Sequence, residues 1–295
     1  MKLLFVHAHF DDFEVTAAGT FELWHRLDPN VERRVLICTD GAAGHHAMTR
    51  EQTARRRLAE QEAAAKLGGF EFRLLTNPQG RAFREARLHA SADFLPALWH
   101  AIREFEPDYL FCPPIPVDPL AGVHVDHLDV AQAIRSVAYM INVPHAFTPE
   151  YPTDETNSHP VRTPVILNTF DGYLVQGHGM DLAIDVSEVV AHVARLAWCH
   201  ESQFREWLPW IDRHNLSVAP NLGAWERQFA GVLERRKSAL GIQAPGLFEL
   251  FQVTAWGTVP TFERLMRDFP GVSADASRLN LLRDRLTAWR AAAGE

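Results

Sequence analysis

The sequence KLLFVHAHFDDFE, at residues 2–14, joins a short apolar run to a cluster of histidine and aspartate side chains. The run at 2–8 has the length of a buried strand, because apolar runs of four to eight residues beside polar signals are typical of parallel sheets. Apolar side chains then recur with the period of an amphipathic helix, at Phe13, Ala17, Phe21 and Trp24. The stretch therefore predicts a first strand that leads through a polar turn into a first helix.

The same alternation of strand and helix continues along the chain. Further strands are predicted at 33–39, 70–75 and 108–112, and helices at 51–67, 86–105 and 126–142. Later segments are predicted to be strands near 164–175 and 181–186, followed by a helix from the N-cap Ser187 to about Phe204. Residues 205–295 are expected to be mostly helical. This order predicts an α/β fold, with a Rossmann-like, doubly wound, mostly parallel sheet and a decorated, mainly helical carboxyl-terminal third.

The composition limits the partners and the compartment of the protein. With 29 Lys and Arg against 37 Asp and Glu, the net charge is −8, which argues against nucleic-acid binding and against a basic patch for an anionic membrane. No apolar run has the length of a signal peptide core or of a spanning helix. The widely spaced Cys38, Cys112 and Cys199 are expected to be reduced, buried side chains of a cytoplasmic protein. A homo-oligomer and a monomer both fit this composition.

Two segments rich in His and Asp occupy corresponding places in the predicted fold. The first, 7–14, follows strand one, and the second, HVDH at 124–127, follows strand four at the start of a helix. In the common strand order 3-2-1-4-5, strands one and four are neighbours, and ligands bind in the crevice where the order reverses. We therefore expect the two segments to line one cleft.

The residue types in this cleft are those of a catalytic metal site. His9, Asp12 and His127 supply two imidazoles and one carboxylate, a set that binds zinc and leaves a position open for water; another divalent metal would fit the same ligands. A metal-bound water is acidified toward neutral pH, and Asp11, which stands beside a ligand but points elsewhere, suits the base that takes its proton. His7 lies one step deeper on the strand and is expected to be a packed or supporting histidine.

Two other residues of the HVDH segment are candidates for the same site. His124 precedes His127 by about one helical turn, so it can face the cleft and either stabilise an oxyanion or protonate a leaving amine. Asp126 can fix the tautomer of a histidine. The simpler interpretations are a helix cap for Asp11-Asp12 and a solvated loop for HVDH. Neither explains why both segments fall at the same edge of the sheet.

The sequence resembles the PIG-L/LmbE-like zinc-dependent N-deacetylases. The A-H-P-D-D motif of that family reads Ala8-His9-Phe10-Asp11-Asp12 here, and its H-x-D-H motif reads His124-Val125-Asp126-His127. Weaker matches are Thr39-Asp40-Gly41, the helix end near Leu67-Gly68, His200-Glu201-Ser202-Gln203 and Phe248-Glu249-Leu250-Phe251. The resemblance extends from residue 2 to about residue 252.

The resemblance implies removal of an acetyl group from an N-acetylglucosamine-type amino sugar or its conjugate, with zinc as the cofactor. It assigns metal binding to His9, Asp12 and His127, the general base to Asp11 and transition-state stabilisation to His124. Because the sequence has no internal repeat, low-complexity tract or convincing linker, it predicts one deacetylase domain over 1–295. Within this domain, 1–142 would be the Rossmann-like core, 143–252 the rest of the catalytic domain with its rim segments, and 253–295 a helical extension.

Substrate recognition is where the chain departs from this family. The acids that the family often has after T-D-G and in a P-D-G turn are replaced by Ala42-Ala43 and by Gln79. The remaining candidates for substrate binding are Arg57, Gln79 and His200, although Arg57 and Glu60 could equally form an exposed pair on a helix. Free N-acetylglucosamine is therefore expected to be a poor substrate.

A larger partner of the sugar would then contact the rims of the cleft, at 143–164 and 205–225. The second rim contains Trp207, Trp210 and Trp225, which could stack on a sugar or pack in the core or a subunit interface.

Three other functions were compared with the sugar deacetylase. An amidase with the same chemistry on a non-sugar N-acyl compound is favoured by the loss of the sugar-binding acids. An amidohydrolase barrel also begins with H-x-H, but it needs eight strand–helix units, and this chain provides about five. A nucleotide-binding Rossmann module would need glycines directly after strand one, where the first glycine is Gly19.

Overall fold

The computed structural model describes residues 1–89, 91–151, 160–172, 180–211 and 216–294. Its strands are β1 (Lys2–His7), β2 (Glu32–Ile37), β3 (Glu71–Leu74), β4 (Tyr109–Cys112), β5 (Val165–Thr169), β6 (Leu182–Asp185) and β7 (Phe248–Val253). Its α-helices are α1 (Asp12–Thr16), α2 (Ala18–Leu27), α3 (Arg50–Gly68), α4 (Phe94–Phe105), α5 (Val125–Met140), α6 (Val190–Trp198), α7 (Leu208–Ile211), α8 (Leu222–Ala239), α9 (Phe262–Asp268) and α10 (Leu279–Ala292). A π-helix, Ser202–Trp207, precedes α7.

The strands form one sheet in the order β3-β2-β1-β4-β5-β7-β6. Strands β1 to β5 are parallel to one another, with Leu3 of β1 opposite Tyr109 of β4. The predicted order 3-2-1-4-5 is therefore confirmed, and so is the α/β fold class. Because β1 and β4 are adjacent and parallel, the segments that follow them leave the sheet at the same edge.

Both faces of the sheet are covered, which explains why its central strands are apolar throughout. Leu3 and Phe5 of β1 belong to the core between the sheet and α2, α6 and α8, whereas Leu4 and Val6 belong to the core beneath α4 and α5. All four side chains are fully buried. This alternation is the period of two that a strand imposes, with helices on each side of it.

The first predicted helix is two helices, because a side chain from β7 caps the second of them. Glu249, in β7, accepts hydrogen bonds from the amides of Gly19 and Thr20 at 2.7 Å each and from the Thr20 hydroxyl at 2.6 Å. The buried carboxylate thus satisfies amide groups that the start of a helix leaves unpaired. The chain bends at Ala17, where φ is −144°, and α2 begins with Glu249 as its cap.

Several boundaries in the second half differ from the prediction. Residues 248–253 form a strand, antiparallel to both β5 and β6, in a region expected to be helical. Ser187 does not cap a helix: its hydroxyl bonds Asp185 and the Leu247 amide, and α6 begins only after Val189. The helix expected from 86 begins at Phe94. Residues 173–175 of the predicted fifth strand and 152–159 of the first rim lie outside the described residues.

Among the described helices, none is long and apolar enough to span a membrane. Cys38 and Cys112 are buried, Cys199 is half-buried, and all three are free thiols.

Candidate active site

The turn after β1 separates the two neighbouring aspartates. Asp11 adopts φ 83°, a left-handed conformation that is uncommon outside glycine and is often found at functional sites. Arg57 of α3 holds this turn by donating to the Phe10 carbonyl at 2.8 Å. Asp11 consequently lies near the guanidinium of Arg57, with Oδ1 3.6 Å from Nη2, while the Asp12 carboxylate turns back and accepts from the His9 amide at 2.8 Å.

The start of α5 brings the second segment to the same place. His124 is the N-cap, and its Nδ1 accepts from the Asp126 amide at 3.2 Å. The next turn of the helix directs Asp126 and His127 toward β1. The ring of His124, which is partly exposed, lies 4.5 Å from that of His9. The two segments predicted to meet in one cleft are therefore in contact.

Three side chains from these segments, His9, Asp12 and His127, form a triangle with closely spaced donor atoms. His9 Nδ1 lies 3.2 Å from His127 Nε2 and 3.5 Å from Asp12 Oδ2, and His127 Nε2 lies 3.5 Å from the other carboxylate oxygen, Asp12 Oδ1. A tetrahedral zinc ion about 2.0–2.1 Å from each ligand would separate the ligand atoms by about 3.3–3.4 Å. The two imidazole nitrogens have about this spacing, and each faces a different oxygen of Asp12.

Two overlapping groups of three side chains have ligand atoms that all lie within 4.8 Å of one another. One is His9, His124 and His127, the other is His7, Asp12 and His127, and neither contains His9 together with Asp12. His7 is almost fully buried, and its Nδ1 is hydrogen-bonded to the Asp12 carboxylate. This contact places His7 behind Asp12, in a supporting position.

In both histidines of the triangle, the ring nitrogen that points away from the other donor atoms (the outer nitrogen) contacts a carboxylate. His9 Nε2 is 3.1 Å from Asp126 Oδ2, and His127 Nδ1 is 2.8 Å from Asp171 Oδ2. When each imidazole is neutral and donates to its carboxylate, the inner nitrogen carries a lone pair toward the centre of the triangle. Such carboxylate–histidine pairs are the usual support of metal-binding histidines.

The charges around the triangle favour a cation at its centre. Although burial alone lowers the pKa of His9, its hydrogen bonds to Asp12 and Asp126 raise it to about 9. Burial also acts to lower the pKa of His127, but the charge of Asp12 and the contact with Asp171 raise this pKa to about 10. A proton and a metal ion compete for the same inner nitrogens, and the same negative groups stabilise both.

The remaining two predicted groups differ in their surroundings. Burial raises the pKa of Asp11 to about 7, against the opposing charge of Arg57. Burial and the neighbouring His9 and His127 lower the pKa of His124 to about 4. Asp11 is thus a carboxylate whose affinity for a proton is increased, whereas His124 is a neutral imidazole at neutral pH.

The predicted substrate-binding residues lie in three different environments. Arg57 is buried between Asp11 and the Gly41 carbonyl, so it forms neither an exposed helix pair nor a surface that a substrate can touch. Gln79 is exposed on the turn after β3. His200 is fully buried, with Nε2 3.4 Å from Glu14, and has no exposed surface with which to contact a substrate. The prediction for His200 therefore requires correction, because the residue packs between helices.

Two acidic residues of the site were not identified from the sequence. Asp171 lies in the segment that follows β5. It could have been found only by expecting that this segment, like those after β1 and β4, lies at the same edge of the sheet. Glu85 lies in a loop with no motif, yet its carboxylate accepts from the Ala43 amide and approaches His9 Nε2 at 3.8 Å and Arg57 at 3.9 Å. The Asp40 carboxylate fixes the Glu85 amide at 3.0 Å. Glu85 thus places an acid beside Ala42-Ala43, where the sequence shows none.

Comparisons with known proteins agree with this geometry. The family model of PIG-L, GlcNAc-PI de-N-acetylase, matches residues 4–138. The N,N'-diacetylchitobiose deacetylase from Pyrococcus horikoshii is similar in structure, with a TM-score of 0.65 and 20% identity over 86% of this chain and 84% of that one. No curated protein matches the chain significantly.

Two other solved structures share the fold. A conserved protein from Thermus thermophilus has a TM-score of 0.59 and 17% identity, covering 87% of this chain and 95% of its own. The 4-carboxy-2-hydroxymuconate hydratase GalB from Pseudomonas putida has a TM-score of 0.57 and 17% identity, covering 86% of this chain and 95% of its own. Because GalB is a hydratase, the shared fold alone does not specify the reaction.

Both segments of the triangle, as well as Arg57 and Glu85, lie inside the part of the chain that the family model matches. Asp171 lies outside it. The chain therefore carries a PIG-L family domain over residues 4–138.

Proposed function

We propose that the protein is a zinc-dependent hydrolase that removes an N-acetyl group from an amino sugar or glycoconjugate. The observation that carries the proposal is the triangle of His9 Nδ1, His127 Nε2 and Asp12, with donor separations of 3.2–3.5 Å and a carboxylate behind each imidazole. The matching family, described as GlcNAc-PI de-N-acetylase, supports the N-acyl sugar as substrate.

The triangle would hold the metal through His9, Asp12 and His127. A bound zinc ion supplies two kinds of chemistry: it acidifies a coordinated water and polarises the acyl carbonyl of the substrate. Two imidazoles and one carboxylate are a usual ligand set of catalytic zinc, and the three donors leave one side of the cluster free. Iron or manganese would also accept this set of ligands.

Asp11 is the general base in this proposal. A base must lie beside the proton that it removes without being consumed as a ligand. Asp11 meets the first requirement by its place next to Asp12, and its contact with Arg57 at 3.6 Å keeps it out of the triangle. Burial raises its pKa to about 7, which makes the carboxylate a better proton acceptor than an exposed aspartate.

His124 would stabilise the negative charge that forms on the acyl oxygen when the acyl carbon is attacked. Its Nδ1 accepts the Asp126 amide, so the neutral ring carries its proton on Nε2, where it is available to a developing negative charge. This hydrogen bond favours the first of the two roles predicted for His124, because a protonated ring would have to break it. Asp126 and Asp171 act as positioning residues that orient His9 and His127.

Glu85 favours a sugar over the alternative, a non-sugar N-acyl compound. That alternative depended on the absence of acids near Ala42-Ala43 and at Gln79. The structure places the Glu85 carboxylate beside Ala43 and within 3.8 Å of His9 Nε2, where it can accept a hydrogen bond from a sugar hydroxyl. A buried acceptor of this kind disfavours substrates that lack the matching donor.

Acetate release from a small panel of substrates tests the proposal. The zinc-loaded enzyme is given N-acetylglucosamine, N,N'-diacetylchitobiose, N-acetyl amino acids and short aliphatic N-acetyl amines. We expect acetate from one or both sugars and at least tenfold lower kcat/KM for the compounds without hydroxyls. Acetate only from the amino acids or amines would replace the proposal with the amidase, and acetate from none, at full zinc occupancy, would contradict deacetylation.

A further inference from the structure

Side chains on one face of the π-helix and α7 contact successive residues of the loop after β2. Gln203 Nε2 donates to the Gly44 carbonyl at 3.1 Å, and Glu206 Oε2 lies 2.8 Å from His45 Nε2. One turn further, the ring of Trp210 stacks on that of His46, with centroids 4.5 Å apart and planes within 1°. The π-helix and α7 therefore place this face in register with the loop.

Charged contacts hold the helix and the loop in this register. Arg56 of α3 donates to both oxygens of Glu206, at 2.9 and 2.6 Å. His45 Nδ1 accepts from the amides of Ala47 and Met48, so Nε2 is the atom that donates to Glu206. A planar guanidinium with two bonds to one carboxylate fixes orientation as well as distance. The aromatic rings beside this network are consequently preorganised.

The rings form an exposed, nearly parallel stack. Trp207 and Trp210 have centroids 5.4 Å apart and planes within 21°, and His46 is within 20° of Trp207. Trp210 is 58% exposed although the ring of His46 stacks on it, so much of the indole remains open to solvent. Trp225, by contrast, is buried in the core between Phe204 and Phe229. The predicted core role thus applies to Trp225 but not to the two other tryptophans.

The stack adjoins the candidate active site. A Cβ atom at Gly44 would lie 3.6 Å from Trp207 Nε1 and 3.1 Å from Arg57 Nη1, so glycine permits this close approach of loop, indole and guanidinium. Arg57 is in turn 3.6 Å from the carboxylate of Asp11. Arg57 and Gly44 are both buried, so they join the aromatic stack to the Asp11 turn from within the protein.

We propose that Trp207 and Trp210, with His46 behind them, form a subsite for a second sugar ring that is attached to the N-acyl sugar. The proposal rests on the proposed function and specifies its substrate class as a disaccharide or longer glycoside. A pyranose presents an apolar C–H face to an indole and hydroxyls at its edge. The structure offers a group for each of them. The exposed ring of Trp210 suits the C–H face, and the charged pair Arg56–Glu206 suits the hydroxyls.

The test compares substrates with one and two sugar rings in matched variants. Trp210→Ala removes the exposed ring, Trp210→Phe retains a smaller ring, and Tyr139→Ala truncates an aromatic that is 84% exposed on α5, away from the site. For each zinc-loaded protein, kcat/KM is measured on N-acetylglucosamine and on N,N'-diacetylchitobiose. We expect the preference for the disaccharide to fall about three- to tenfold in Trp210→Ala, less in Trp210→Phe, and not at all in Tyr139→Ala.

A binding measurement without turnover separates this proposal from the proposed function. Tryptophan fluorescence of the metal-free protein is titrated with triacetylchitotriose, and we expect a saturable change that Trp210→Ala abolishes and Tyr139→Ala retains. This result together with no acetate release from any sugar would support the subsite and contradict deacetylation. Acetate release with an unaltered disaccharide preference and unaltered fluorescence in Trp210→Ala would overturn the subsite alone. Saturation by an alkyl glycoside but not by the chitotriose would also overturn it.

Discussion

His127 is held from two sides, and this makes it the most informative residue to remove. Its Nδ1 contacts Asp171, and its Nε2 faces both Asp12 and His9. We predict that His127→Ala loses bound zinc and activity together, because two of the three donors do not retain the metal. Elemental analysis of the purified variant measures the metal directly.

The control for this substitution is His89→Ala, which removes a histidine whose side chain is 70% exposed. It should retain zinc at the level of the parent. Stoichiometric zinc in His127→Ala would show that the ligands have been wrongly assigned, and an unchanged circular dichroism spectrum would show that the fold survives.

Asp11 lies beside the triangle without joining it, and its substitution should separate catalysis from metal binding. Asp11→Asn preserves the size of the side chain but removes a proton acceptor. Loss of a general base typically lowers the rate by about 10²–10⁴-fold, so kcat should fall by this factor while zinc remains bound. A kcat within a few-fold of the parent would leave Asp11 with a structural role only.

The sequence was sufficient to predict the residues of the triangle but not two of the acids around it, Glu85 and Asp171. His9, Asp12 and His127 belong to two dense motifs, and the strand order alone brings those motifs together. Glu85 and Asp171 are single acids without local pattern. Their positions depend on how a loop folds back, through the contact of Asp40 with the Glu85 amide, and on the pairing of β4 with β5. Such contacts are tertiary and leave no periodic signal.

At the scale of elements, Glu249 shows how one side chain divides a helix. The apolar period from Phe13 to Trp24 predicted one continuous helix, since hydrophobic spacing does not report where amides lose their partners. The structure supplies the missing cap from β7, more than 200 residues later. Ser187 illustrates the opposite case, because a good capping residue was engaged by Asp185 instead. Local propensity is overridden wherever a buried group forms a competing hydrogen bond.

The cap also predicts a measurable contribution to stability. Glu249→Ala would leave the buried amides of Gly19 and Thr20 without an acceptor, which costs about 1–3 kcal/mol for each unsatisfied group. We expect the free energy of unfolding to fall by about 2–4 kcal/mol in urea titrations followed by circular dichroism. Glu263→Ala, on the exposed face of α9, is the control and should change it by less than about 0.5 kcal/mol. Equal midpoints for the two variants would contradict the capping role.

At the scale of the whole molecule, the carboxyl-terminal helix shares the core of the sheet. Leu282 of α10 is fully buried and belongs to the same hydrophobic core as Leu3 and Phe5 of β1. Arg285 of the same helix contacts Asp181, beside β6. These contacts support the prediction of a single domain over 1–295, in which residues 253–295 are an integral part and not an appendage.

Adjacent leucines of α10 provide a test of that organisation. Leu282→Ala should destabilise the whole protein by about 2–5 kcal/mol in one cooperative transition, because it opens a cavity in the shared core. Leu281→Ala changes the neighbouring residue, which is 62% exposed, and should have little effect. If Leu282→Ala instead produced a separate early transition while the main one was unchanged, α10 would be an independent unit.

The insertion of β7 between β5 and β6 has a consequence for biosynthesis. Strands β1 to β5 leave the ribosome first, yet the edge of β5 remains unpaired until residues 248–253 have been made. At about 5–20 residues per second, this takes roughly 4–17 s after β5 has been synthesised. During that interval the nascent chain has an open strand edge and lacks the cap of α2, so it is a natural substrate for ribosome-associated chaperones.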